Sequence, residues 1–112
     1  MSEEANMSAN KSLRSSFERS VGLLSAGSYF VVRGQELGED SIQVESEYVI
    51  DPHKKIIINF QIFSGPFLSV RGCLDGKPIK QGDKLIANLK FEDLDFAHRR
   101  SIRNFLAANA FV

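Results

Sequence analysis

The chain has 112 residues, of which 43% are hydrophobic and 25% are charged. These values fit one globular domain with a single core and exclude two independent cores. Lys plus Arg and Asp plus Glu both number 14, so the neutral balance gives no broad attraction to DNA, RNA or an anionic membrane, although a local basic cluster can still bind a small anion.

The N-terminal residues 1–10 are polar and contain no apolar core of a signal peptide. They predict a disordered tail, because nothing in them buries enough surface to offset the entropy of ordering. No stretch approaches the roughly 20 apolar residues of a membrane span. Cys73 is the single cysteine and cannot form an internal disulfide, which fits a reducing compartment. We therefore expect a cytoplasmic protein that does not insert into a membrane.

Residues 11–19 carry three cations, Lys11, Arg14 and Arg19, together with two apolar side chains. Two interpretations of this segment stay open. It is either an arm that becomes ordered around a phosphate ligand, which guanidinium groups bind through paired donors, or a solvated lead-in to the first strand.

Short β-forming or alternating runs predict about six strands, at residues 21–24, 29–32, 42–46, 55–63, 67–74 and 85–91. Between the second and third lies a polar, turn-rich octet, residues 34–41, which is predicted to bring polar groups to the rim of the sheet. If the protein binds an anion, this octet and the upstream arginines are the stretches that we expect to bind it. Residues 51–53 and 64–66 are predicted breaks, and Asp75-Gly76 is the turn signal of a hairpin.

The hydrophobic period changes near the C-terminus. Asp93 or Asp95 is placed to cap a helix that continues to about Asn109. Its predicted apolar stripe consists of Leu94, Ile102, Phe105 and Leu106. The opposite side carries three arginines that form either a binding patch or, as is more common, a solvated helix face: Arg99, Arg100 and Arg103.

Consecutive antiparallel strands followed by one helix predict a mainly β fold, a small barrel or curled sheet on which the helix packs. His53 and His98 have no Cys or carboxylate at metal-ligand spacing. The chain also contains no Gly-x-Ser-x-Gly elbow, phosphate-binding loop or dinucleotide motif. We therefore predict neither an enzyme nor a metal or other cofactor.

The order of these elements resembles the PilZ domain, and residues 89–106, with a Phe-x-x-Leu step and a basic-apolar helix, look very like that family's last strand and helix. The resemblance runs from about Lys11 to Asn109, so residues 11–112 are assigned to one domain with residues 11–19 as its arginine-containing arm. It implies a six-stranded antiparallel barrel with a C-terminal helix. It also implies binding of the bacterial second messenger cyclic di-GMP through an Arg-x-x-x-Arg arm and an Asp/Asn-x-Ser-x-x-Gly turn.

The chain departs from both motifs. Arg19 matches the second arginine of the arm, but Ser15 stands four residues before it, and Arg14 is the near substitute. In the turn, the register that keeps the apolar alternation of the following strand puts three residues at the Asp, Ser and Gly positions: Glu36, Gly38 and Ser41. A second register uses Glu39, Ser41 and Val44.

Two functions follow from the resemblance. The first is a receptor for cyclic di-GMP that relays binding to a protein partner, with Arg14 and Arg19 on phosphates and guanines. The residues of the turn, Glu36, Gly38 and Ser41, would hold the other side of the ligand. The second is a divergent adaptor that does not bind the nucleotide and acts through protein contacts.

Overall fold

Over residues 13–109, which the computed structural model describes, seven strands are followed by one helix. The strands are β1 Arg14–Ser16, β2 Ser20–Ser25, β3 Ser28–Gly38, β4 Ser41–Ser46, β5 Ile56–Phe60, β6 Leu68–Gln81 and β7 Lys84–Glu92, and the helix is α1 Phe96–Asn109. The disordered tail predicted for residues 1–10 lies outside the described residues.

The strands form one antiparallel sheet that closes on itself. Its order is β1-β3-β2-β5-β6-β7-β4, and β4 pairs in turn with β3. Six strands therefore make a closed barrel, and β1 is a seventh strand along the edge of β3. The prediction of a six-stranded antiparallel barrel with a C-terminal helix is confirmed.

The barrel interior is filled by the apolar positions of the alternating strands. In β4 every second side chain is buried, and in β5 the same alternation places Ile56, Ile58 and Phe60 inside. Ile62, just beyond β5, is buried as well. Strand periodicity with one apolar face is thus the pattern that fixes which side of each strand faces the core.

The predicted arm is partly built into the sheet. β1 and β2 pair with the same edge of β3, and the three residues between them, 17–19, lie opposite two residues of β3. One extra residue on one strand is the arrangement of a β-bulge. It turns Phe17 into the core, where the side chain is 1% exposed and packs edge-on against Phe60 and Phe105.

Gly34 is required by this bulge. A Cβ atom at this position would lie 2.7 Å from the carbonyl oxygen of Phe17 and 3.0 Å from that of Arg19. Both are backbone atoms, and the amide of Gly34 donates to the Arg19 carbonyl at 2.7 Å. The glycine therefore allows the two chain segments to approach closely.

The prediction that residues 34–41 form a turn is wrong for most of the octet. Residues 34–38 continue β3, and the turn shrinks to Glu39 and Asp40. The reason is tertiary pairing, because this half of β3 bonds β1 on one edge and β4 on the other. Leu37, fully buried, anchors it in the core. These long-range contacts outweigh the turn preference of the glycines.

The Asp75-Gly76 hairpin turn is also a wrong prediction. β6 runs on to Gln81, and the reversal occurs at Gly82 and Asp83. Gly76 has φ +76° and lies where the register with β7 shifts between Asp75 and Ile79. The positive φ that glycine adopts readily thus serves a bulge here rather than a turn.

The C-terminal helix begins after Asp95, whose carboxylate accepts the amide of His98 at 2.8 Å. Asp95 is therefore the N-cap, whereas Asp93 lies in the preceding turn with φ +54°. Three of the four residues of the predicted stripe are the buried positions of the helix: Ile102, Phe105 and Leu106. Leu94 instead precedes the helix and packs half-buried against the core. Among the described residues, no helix is long and apolar enough to cross a membrane.

Candidate functional site

Four of the five predicted ligand-binding residues meet at one end of β1. Arg14 pairs in register with Gly38 of β3, and its Nε lies 2.5 Å from Glu36 Oε1. Its Nη1 donates to the hydroxyl of Ser41, at the start of β4, at 3.0 Å. The arm and the predicted turn residues thus form one continuous polar surface, which we call the Arg14 cluster.

Gly38, which has no side chain, leaves the space that the Arg14 side chain occupies. A Cβ atom at Gly38 would lie 3.0 Å from the guanidinium carbon of Arg14. The guanidinium therefore lies across the backbone of β3 and is held between the side chains of Glu36 and Ser41. About a third of the Arg14 side chain stays exposed (34%), as does 45% of that of Glu36. This cluster is partly open to solvent, where an ion pair is worth only about 0.2–1 kcal/mol.

Arg19 lies apart from the Arg14 cluster. Its Nη1 donates to the carbonyl oxygen of Gln61 at 2.7 Å and to that of Phe63 at 3.4 Å. The guanidinium lies over the rings of Phe17 and Phe105, 5.5 and 5.9 Å from their centroids. The neighbouring segments of β3, at Gly38 and Gly34, are four residues and so about 13 Å apart. The two arginines therefore form separate cationic points along one edge of the barrel.

A surface pocket of about 430 Å³ opens beside Arg19. Strand periodicity does not predict this pocket, because the phenylalanines on either side of the 64–66 break fit the ends of two predicted strands. The signal available in the sequence was two aromatic residues flanking a Ser-Gly-Pro turn. We call this cavity the Arg19 pocket; its lining residues are Arg19, Ser20, Gln61, Phe63, Ser64 and Phe67.

The second turn register does not produce a common surface. Val44 is fully buried in the core, and Glu39 accepts from Nε of Arg103 at 3.3 Å. Asp40, next in the turn, lies 3.8 Å from Arg99 Nη1. Two of the three helix arginines, Arg99 and Arg103, thus form ion pairs with the β3–β4 turn and connect it to α1.

The third helix arginine, Arg100, lies 4.7 Å from the ring centroid of the exposed Phe96. This arrangement is a cation–π contact within the helix surface. The helix arginines are therefore neither a bare patch nor wholly solvated, since each has a partner on the protein.

Cys73 belongs to a different cluster, on the outside of β6 and β7. Its thiol donates to Glu92 Oε2 at 3.2 Å, and Lys55 Nζ lies 2.7 Å from the other oxygen of the same carboxylate. The hydrogen bond to Glu92 raises the pKa of the Cys73 thiol, with burial as a further cause. The bonds from Lys55 and then Cys73 lower the pKa of Glu92. A raised thiol pKa makes this cysteine a weak nucleophile.

The two histidines are exposed or half-buried next to aspartates. The amide of His53 donates to Asp51 at 2.8 Å in the predicted turn, and the ring Nδ1 of His98 lies 3.5 Å from Asp95. Within residues 13–109 no group of three or more His, Cys, Asp or Glu side chains is arranged to hold a metal ion.

The sequence matches no known protein-family model and no curated protein sequence. Similarity appears instead in solved structures. The inhibitor of motility MotI/DgrA of Bacillus subtilis superposes with a TM-score of 0.81 at 5% identity, covering 94% of this chain and 53% of that one. MrkH of K. pneumonia in its apo state superposes with a TM-score of 0.65 at 7% identity, covering 88% and 50%.

The PilZ domain of YcgR from Escherichia coli, solved with c-di-GMP, superposes with a TM-score of 0.62 at 9% identity, and the match covers 93% of both chains. The chain thus spans about half the length of MotI/DgrA and MrkH and nearly all of the YcgR domain. At these low sequence identities, the comparisons show a similarity of fold alone.

Proposed function

We propose that this chain, whose fold is PilZ-like, is a non-enzymatic bacterial signalling domain that binds cyclic di-GMP and relays binding to a protein partner. The observation that carries the proposal is the Arg14 cluster, where an arm arginine meets the three residues predicted for the turn motif on one partly exposed surface. The YcgR domain, which has the same fold, was solved with c-di-GMP.

The chemistry of the cluster suits an anionic ligand with planar bases. A guanidinium carries five N–H donors in a fixed plane, and Arg14 uses two nitrogens on Glu36 and Ser41. Phosphate oxygens can take the remaining donors or displace the carboxylate, and guanine can stack on the guanidinium face. Ser41 supplies a hydroxyl on the same side. Arg19, farther along the edge of β3, would provide the second cationic contact.

A contact route leads from this surface to the helix. The turn that follows Gly38 is tied to α1 through Glu39–Arg103 and Asp40–Arg99. A ligand that rearranges Glu36 and Ser41, on either side of that turn, would change these ion pairs as well. The exposed side of α1 is therefore the surface on which we expect a partner to sense binding.

The test is calorimetric titration of cyclic di-GMP into the wild type and into Arg14→Ala and Arg19→Ala. We expect micromolar or tighter binding that each variant weakens by about one to two decades, the equivalent of about 1.5–3 kcal/mol for a lost charged hydrogen-bond set. Arg71→Ala is the matched control. Arg71 is an exposed arginine of β6, which lies across the barrel from β3, so its loss should leave the affinity unchanged.

The alternative function is the adaptor that binds no nucleotide. It is favoured by the pairing of Arg14 with Glu36, which already neutralises the arginine, and by Gly38, which lacks the hydroxyl of the family motif. No heat of binding and no shift in melting temperature at a large excess of cyclic di-GMP would contradict the receptor proposal and leave the adaptor.

A further inference from the structure

The exposed side of α1 carries positive charge that the helix itself does not balance. Residues 96–109 contain three arginines but no aspartate or glutamate. Arg103 follows Arg99 by four residues and Arg100 by three, so these side chains are neighbours on the helix surface, where like charges repel. Phe96 lies beside Arg100 and is 72% exposed. We call this surface, with Asn104, the Arg100 face.

The protein's own β3–β4 turn shows what this face binds. Glu39 lies 3.3 Å from Arg103, and Asp40 lies 3.8 Å from Arg99. The longer distance is beyond a hydrogen bond, and the Asp40 side chain is 70% exposed, so another carboxylate can replace it. Among residues 13–109, Arg100 forms no ion pair with a carboxylate. One of the three cations is therefore still available to an external anion.

A surface cavity in the Arg100 face has the size of one side chain. Its volume is about 160 Å³, and it is lined by Phe96, Asn104 and the three arginines. A cavity of about 150 Å³ holds a benzene ring, whereas sites for small molecules begin at about 300 Å³. Because Phe96 gives the cavity an apolar wall, it suits an apolar side chain of a protein better than a free metabolite.

The charges around the cavity favour an acidic protein over a nucleic acid. The three arginines lie beside two carboxylates, so the excess is a single positive charge, and the whole chain has a net charge of zero. Binding to a nucleic acid usually needs several Lys or Arg contacts with phosphates. A protein segment can instead replace the two carboxylates of the turn with its own and reach Arg100 with another.

We infer that the Arg100 face docks an acidic segment of a partner protein. An aromatic side chain of that segment enters the cavity, and carboxylates on either side of it bind the arginines. Glu39 and Asp40 are then internal competitors that occupy Arg103 and Arg99 until the partner displaces them. The inference deepens the proposed function and rests on it for one link: cyclic di-GMP that moves the turn would free both arginines for the partner.

The first experiment titrates the peptide Gly-Asp-Glu-Phe-Glu-Asp-Gly into the ¹⁵N-labelled full chain and follows amide shifts by NMR. We expect shifts at Phe96, Arg100 and Arg103. A matched peptide with Asn and Gln in place of its four carboxylates should not produce them. A second peptide with Gly in place of Phe should bind about tenfold more weakly, because it buries no ring. Equal binding of the neutral peptide would overturn the inference.

The second experiment removes the unpaired cation. Arg100→Gln leaves both ion pairs with the turn in place and should weaken binding of the acidic peptide by about two- to fivefold, the equivalent of one exposed ion pair. Arg71→Gln makes the same change at an exposed arginine of β6 and should leave the affinity unchanged. An equal loss in the two variants would show non-specific attraction and overturn the inference.

The third experiment removes the competitors. The double variant Glu39→Gln, Asp40→Asn should bind the acidic peptide about two- to fivefold more tightly, because Arg103 and Arg99 lose their internal partners. Asp75→Asn with Asp83→Asn removes the same charge from the β6–β7 hairpin and is the control. Unchanged affinity in the first pair would show that the turn does not compete. Melting temperatures verify that each variant is folded.

Peptide titrations with and without saturating cyclic di-GMP separate this inference from the proposed function. Tighter peptide binding with the nucleotide supports both, and equal affinities would overturn the link between them. Selective peptide binding in a chain that does not bind cyclic di-GMP would keep the docking face and overturn the receptor. Cyclic di-GMP binding without peptide shifts in α1 would do the reverse. Tighter binding of single-stranded oligouridylate than of the peptide would identify a nucleic-acid surface and overturn the acidic partner.

Discussion

At the scale of single residues, the ion pair between Arg14 and Glu36 decides how an anion reaches this surface. The carboxylate lies 2.5 Å from the guanidinium and both side chains are partly exposed. A phosphate must therefore compete with a charge that the protein itself supplies. An exposed pair of this kind is worth only about 0.2–1 kcal/mol, so the competition is weak enough for a ligand to win.

We predict that Glu36→Gln strengthens cyclic di-GMP binding by about two- to fivefold, the equivalent of losing such an exposed pair. The amide keeps an acceptor but no longer neutralises Arg14. Calorimetry at low and high salt measures the effect, which should shrink as salt screens the charges. Glu45→Gln, an exchange on β4 outside the cluster, is the control. Equal binding in Glu36→Gln would mean that the carboxylate does not compete with the ligand, and weaker binding would mean that it helps to hold the ligand.

Glu92 is the residue that most strongly affects the pKa of Cys73, the single cysteine. Its hydrogen bond is the largest cause of the raised pKa of Cys73. In Glu92→Gln both that bond to a carboxylate and its negative charge are lost, whereas the Lys55 cation remains and stabilises the thiolate. We therefore expect the pH at half-maximal alkylation of Cys73 by iodoacetamide to move to lower pH.

Mass spectrometry follows this alkylation without ambiguity, since the chain has one cysteine. Asp75→Asn is the comparison variant, because the charge of Asp75 also raises the pKa of Cys73 but is the smallest of its causes. It should move the profile less than Glu92→Gln does. Superimposable profiles of Glu92→Gln and wild type would refute the assignment.

At the scale of elements, the helix is defined by a cap and an apolar stripe that both follow from local sequence. Asp95 accepts the third helical amide, and the buried residues recur at helical spacing. The extents of the strands depend more on residues that are distant in the sequence. β3 extends through two glycines because partners bond both of its edges, and β6 passes through Asp75-Gly76 because β7 continues beside it.

Removing the cap should weaken the fold by a defined amount. We predict that Asp95→Ala lowers the free energy of unfolding by about 1 kcal/mol, as is usual for a lost N-cap. Asp95→Asn, which keeps the accepting oxygen, should remain close to the wild type. Urea unfolding followed by circular dichroism measures both. A similar loss in the two variants would show that charge, and not the hydrogen bond, stabilises the helix start.

At the scale of the whole molecule, one core connects the barrel, the helix and the Arg19 guanidinium. Phe105 of α1 packs edge-on against Phe17 and Phe63 and lies beneath the Arg19 guanidinium. The bulge after β1 and the loop after β5 therefore both pack against one side chain of the helix. Because a single core usually unfolds in one step, we expect no separate transition for the helix.

We predict that Phe105→Ala costs about 3–5 kcal/mol of unfolding free energy, the usual range for deleting a buried ring. Phe105→Leu, a smaller change, should fall between this variant and the wild type. Phe96→Ala removes a ring of the same helix that is 72% exposed and should cost less than about 1 kcal/mol, the size of its cation–π contact. Circular dichroism and tyrosine fluorescence should report coincident transitions. Separate transitions would show that α1 docks independently of the barrel.

The sequence by itself determined the buried faces of the strands, the helix with its stripe, and the fold that these imply, because hydrophobic periods of 2 and 3.6 residues are local properties of the chain. It also named Arg14, Glu36, Gly38 and Ser41 separately. Only the tertiary structure decided that these four meet. It also decided that Arg19 belongs to another pocket, and that Phe67 faces it. Those facts depend on register and on the bulge at residues 17–19, which shifts the chain by one position. Such a shift comes from pairing between distant strands, and no local pattern records it.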